Sequence, residues 1–117
     1  MATYANLFID QGSDFSTIIS LEDRSSDPFE LDNVVFSGQV RRTYQSETAF
    51  DFVISIVDVD LGEILVSLPE NTTSQMKRGR YVYDIFAENT ETGKEFKIKV
   101  LEGIVEVVPQ VTRTSGQ

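Results

Sequence analysis

The side chains able to do chemistry in this sequence are carboxylates and cations, and both come in clusters. Asp23, Asp27, Glu30 and Asp32 fall in one stretch, and Asp58, Asp60 and Glu63 in another. Ca²⁺ takes about six to eight oxygens, which paired loops at one end of a β-sandwich can supply. Neither stretch has the acid-and-glycine spacing of an EF-hand, and Asp58 and Asp60 are only two ligands, so solvated loop acid is the simpler reading. The cations form three groups: Arg41 and Arg42 near Tyr44; Lys77, Arg78 and Arg80; and Lys94, Lys97 and Lys99. Basic residues beside an aromatic can bind nucleic acid. Here they stand against 19 acidic residues and a net charge of −9. That background opposes binding to nucleic acid or an anionic membrane. For the five residues of the first two groups a patch for an acidic protein partner, or ion pairs between subunits, suits better; Lys97 and Lys99, alternating with Phe96 and Ile98, read as a wet strand face that also discourages edge-to-edge pairing.

Missing residue types exclude more than the present ones suggest. The 117 residues contain no His, Cys or Trp. This removes most transition-metal sites, Ser-His-Asp and Cys-His nucleophile systems, and structural disulfides. Two carboxylates across a cleft could hydrolyse a glycoside, but a small chain with no Trp platform for a sugar makes that remote. Asn71-Thr72-Thr73 matches a glycosylation acceptor, yet the first residues carry neither a basic nor an apolar signal region. No apolar run is long enough to span a bilayer. The expectation is a protein that is not an enzyme, made in a cytoplasm without a signal peptide, with no metal, cofactor, nucleic acid or membrane partner.

The elements that must position these groups are strands. Apolar residues recur at every second position in Phe15–Leu21, Val34–Val40, Phe50–Ile56, Ile64–Leu68, Tyr81–Ala87 and Phe96–Val100, the pattern of strands with one wet face. Seven strands are expected, over 3–9, 14–22, 34–43, 49–58, 63–68, 80–88 and 94–108, with a bulge or bend at Gly103. Turn residues separate them, including Asp58–Gly62 and Asn89–Gly93, where Gly93 can take a positive φ. Residues 70–78 read as a short helix capped by Asn71, Thr72 or Thr73. The whole is an all-β, immunoglobulin-like antiparallel sandwich: one domain over 1–111 and a polar tail over 112–117. The expected core is Phe15, Ile19, Phe36, Val40, Phe52, Ile54, Ile56, Val66, Tyr81, Tyr83, Ile85 and Ile98. Tyr81 suits a tyrosine corner, with Tyr83 where such domains carry their second bridge Cys; the plainer alternative is two inward-facing strand residues.

Several strands are apolar on both phases, and a two-layer sandwich hides one face of each sheet. Val35, Val53 and Phe86 on the second phase, with Arg41, Arg42, Arg78 and Arg80, are therefore the candidate interface. Residues 1–40 hold seven acidic side chains and one base, Arg24. Against the later basic clusters, this asymmetry suits head-to-tail contact.

Four stretches carry a family resemblance: Tyr4–Ser16, Gly38–Tyr44, Gly79–Asp84 and Leu101–Val105. Together they resemble small virion-associated proteins of marine contractile-tailed phages, mainly cyanophages. More loosely they are similar to the N-terminal domain of phage baseplate upper proteins. The resemblance covers nearly the whole chain and carries no catalytic motif; Glu22–Asp32 departs from the family pattern. It implies a β-sandwich tail or baseplate-type assembly protein located in the virion, with itself or other virion proteins as partners. The other class of function is an adhesin-type module that binds carbohydrate, with or without Ca²⁺.

Overall fold

The computed structural model describes residues 3–23, 25 and 27–112; Arg24 and the tail from 113 onward lie outside the described residues. The strands are β1 (Thr3–Tyr4), β2 (Leu7–Asp10), β3 (Phe15–Ser20), β4 (Val34–Arg41), β5 (Ala49–Asp51), β6 (Val53–Asp58), β7 (Glu63–Leu68), β8 (Gly79–Asn89) and β9 (Phe96–Val108), with one helical turn, α1 (Glu70–Thr73). They form two sheets. The larger runs β1-β9-β8-β4-β5, with β2 also on β9; the smaller runs β3-β7-β6. This is the immunoglobulin partition, with the second, fourth and fifth strands of that fold opposite its third, sixth and seventh.

Three differences from the expected strands have physical causes. The opening strand is two pieces, and both run parallel to β9 rather than antiparallel. Between them the Ala5 carbonyl leaves the ladder to accept the Tyr83 hydroxyl at 2.6 Å. The segment 49–58 divides at Phe52, which is buried where the chain crosses from one sheet to the other. β9 runs unbroken through Gly103, and the irregularity in its pairing with β8 lies at Ile85/Phe86. Gly103 answers a close approach instead: a Cβ there would stand 1.9 Å from the Ala5 carbonyl oxygen.

The helix is shorter than the expected 70–78 and starts before the proposed caps. Pro69 occupies the N-cap, and Asp14 on the β2–β3 turn accepts the Glu70 N–H at 2.7 Å. After Thr73 the bonds tighten to Gln75 N–H on Thr72 and Met76 N–H on Thr73. That tightening turns Met76, fully buried, into the core, where its carbonyl accepts Gln11 Nε2 at 3.0 Å.

Between the sheets, Ile9, Val40, Ile64, Val66, Ile85 and Val105 are fully buried. Phe52 and Tyr83 meet edge to face at 5.8 Å. Burial pushes the Tyr83 phenol from its ordinary 10.0 up to about 12, with nearby Tyr4 and Glu102 adding to the shift. Of the expected core, Phe15, Ile19, Phe36 and Ile54 are half-buried. Ile56 and Ile98 are corrections: they lie on the inward phase but are 43% and 40% exposed. Each sits at a lateral seam of the sandwich. β5 covers β4 only at Gln39–Arg41, and β1 and β2 cover β9 only from Leu101 onward.

Candidate interaction site at the basic end

All strand ends near Arg41, Gly79 and Val108 gather at one end of a molecule 53 × 30 × 23 Å in extent. The 69–79 connection closes this end. Tyr81, the first buried residue of β8, donates its hydroxyl to the Lys77 carbonyl at 2.7 Å, the bond that defines a tyrosine corner. Thr73 Oγ1 donates to the Ser13 carbonyl at 2.8 Å and ties the connection to the β2–β3 turn.

Arg42 is built into this closure. Its guanidinium lies 4.8 Å from the centre of the Tyr81 ring, and Nη1 donates to the Arg78 carbonyl at 3.2 Å. A cation over an aromatic face is held electrostatically, so Arg42 is positioned with part of its donor fork turned outward. Beside it opens a cleft of about 590 Å³ lined by Arg42, Lys77, Glu47, Ser46, Thr48, Phe50, Gln75 and Tyr81. The arrangement can take a carboxylate or another anion against two cations on an apolar floor. Among the described residues the one ion pair is Lys99–Glu102 at 3.5 Å. The described cations of this end thus have no carboxylate within ion-pair distance.

The candidate interface residues do not form one patch. Arg42 lines the cleft, whereas Arg78 meets Arg42 through its backbone carbonyl and is not among the lining residues. Arg80 is exposed at the start of β8 and pairs in register with Glu106. Arg41 is spent within the chain: Nη1 donates to the Ser46 carbonyl and Nη2 to Gln39 Oε1 at 2.9 Å, which anchors the β4–β5 loop. Val35, 65% exposed, lies on the outer face of the larger sheet, and Val53, 58% exposed, on that of the smaller. Phe86 is half-buried on the larger sheet's outer face, with the Lys97 ammonium 5.9 Å from its ring centre.

Lys77, Phe50 and Gln75 complete the cleft and were not among the sequence candidates for it. Lys77 was legible as part of a basic cluster. That it faces Arg42, 35 positions away, depends on the closure of the sandwich.

The opposite end is acidic. The 21–33 loop, the 58–62 turn and the 90–95 turn meet there, joined by Leu21 N–H on the Gly62 carbonyl and by Asn33 Nδ2 on Glu91. Phe29 and Phe96 seal it in an edge-to-face pair at 6.1 Å. Among the described residues its carboxylates form no group of three able to hold a metal ion.

No family model matches the chain, and no curated protein matches it. Among solved structures it is similar to a family 123 glycoside hydrolase from Clostridium perfringens, with 12% identity and a TM-score of 0.38. The match covers 92% of this chain, which spans 23% of the hydrolase chain. Likeness at that level carries no argument about activity.

Proposed function

We propose that the protein is a non-enzymatic structural module of a phage particle, of the tail or baseplate type, whose basic end receives an acidic neighbour. The observation that carries the interaction reading is a pair of cations, Arg42 and Lys77, that line one cleft with no ion pair among the described residues. Glu47 also lines that cleft but pairs with neither cation, while the acidic loops crowd the other end. The phage setting rests on the sequence resemblance. Contact between unlike ends of identical copies is heterologous, and it builds rings or filaments.

Light scattering across protein and salt concentrations tests the contact. Association at low salt that dissolves as screening shortens the Debye length is expected, and Lys77→Glu with Arg78→Glu should abolish it. A strict monomer at low salt that also fails to co-purify with particles in mass spectrometry of purified virions would refute the proposal.

A further inference from the structure

The larger sheet loses its outermost neighbour halfway along β4. β5 pairs with Gln39, Val40 and Arg41, and the last bond on that side runs from Phe52 N–H to the Gly38 carbonyl at 3.0 Å. Backbone groups of every second strand residue face the same edge. Phe36 N–H and C=O therefore face it too, and no described residue pairs with them there. The inward side chains along this seam, Phe36, Ile54 and Ile56, are incompletely covered. A groove of about 420 Å³ reaches from this edge across β4 to β8, lined by Phe36, Gly38, Phe52 and Phe86, and its charged lining residues are Asp51 and Asp84.

Natural sheets blunt free edges with Lys, Pro or bulges. The other free stretch of this sheet, Phe96–Val100 of β9, follows that rule through Lys97 and Lys99. The β4 stretch, Val34-Val35-Phe36-Ser37-Gly38, has no charge and no Pro. We propose that this edge is kept open to accept a strand from a partner protein: an extended segment with apolar residues at alternate positions and Lys or Arg between them. Its backbone pairs with Phe36, its apolar phase covers Phe36 and Ile56, and its basic phase meets Asp51 and Asp84. Main-chain bonds give such strand addition its affinity, and alternate side chains its specificity.

A second copy of this chain is a poorer occupant. Its β9 stretch has the right alternation. In the parallel pairing that continues the sheet, however, β5 of one copy and β1 of the other would fall in the same gap and hold the strands apart. A flexible segment meets no such obstacle. The inference does not depend on what the basic end binds.

The probe is the capped peptide Lys-Val-Lys-Val-Lys-Val, with Glu-Val-Glu-Val-Glu-Val as control, followed by NMR amide hydrogen exchange on the full chain. The Phe36 amide should exchange freely in the protein alone and become protected with the basic peptide. Asp51→Lys should weaken that binding several-fold, and the same charge reversal at exposed Glu106 on β9, which does not line the groove, should leave it unchanged. No protection at millimolar peptide, or equal protection by the acidic peptide, would overturn the proposal. Protection that appears without peptide as protein concentration rises would assign the edge to a second copy and overturn it as well. Loss of salt-dependent association leaves the Phe36 amide unaffected, so the two proposals fail separately.

Discussion

The two halves of the sandwich use similar strands and end up unequally sealed. Toward the basic end the larger sheet is wide: β5 flanks β4, β1 and β2 flank β9, and the 69–79 connection folds over the top. Toward the acidic end the same sheet narrows to β4, β8 and β9, and the cover is loops and one aromatic pair. Short edge strands produce this difference. β5 and β1 are three and two residues long, so they protect only the half they lie in. Inward-facing residues in the other half, Ile56 and Ile98, stay partly in water. Burial here depends on how far a neighbouring strand extends as much as on the phase of a residue in its own strand.

The largest effect should come from the sealed half. Met76 has no exposed surface and fills the space under the connection. Met76→Ala should cost about 2–5 kcal/mol, the usual range for emptying such a site. Chemical denaturation measures it; a loss near zero would mean that the connection is not packed in solution and that the two halves are alike.

A smaller effect should follow at the tyrosine corner. Tyr81→Phe keeps the ring beneath Arg42 and removes only the hydroxyl bond to Lys77. The expected loss is about 0.5–1.5 kcal/mol, the net worth of one hydrogen bond. The same variant should leave low-salt association in place if the Arg42 position depends on the ring. Loss of association without loss of stability would mean that the hydroxyl, not the ring, organises the cleft.

Most strand segments and the corner were legible because a period of two and a Tyr at a strand start are local signals. α1 was legible in place but not in length, since its end is set by Met76 reaching the core and by Gln11, 65 positions away. The parallel pairing of β1 and β2 left no local mark, because strand direction depends on which neighbour the chain finds. The basic clusters were readable as clusters. Their division into Arg42, which lines the cleft, and Arg41, which is consumed by its own loop, was not, since Arg41 ends β4 and Arg42 begins the loop after it, where each finds partners distant in sequence or set by the loop.

The smallest expected effect tests the comparison most directly. Ile56 on β6 and Ile64 on β7 are paired residues of the smaller sheet, and both point inward. Ile64 has no exposed surface, whereas Ile56 is 43% exposed at the seam beside β4. The two share residue type and rung, so propensity and register cancel between them and only cover differs. Ile64→Ala should cost about 2–5 kcal/mol. Ile56→Ala should cost about 1 kcal/mol or less, because much of its apolar surface is already in water and truncation leaves a dent rather than a cavity. Denaturation of both variants at one low protein concentration checks this. Equal losses would mean that the seam is closed in the free protein, which would remove the exposed surface that an added strand would cover.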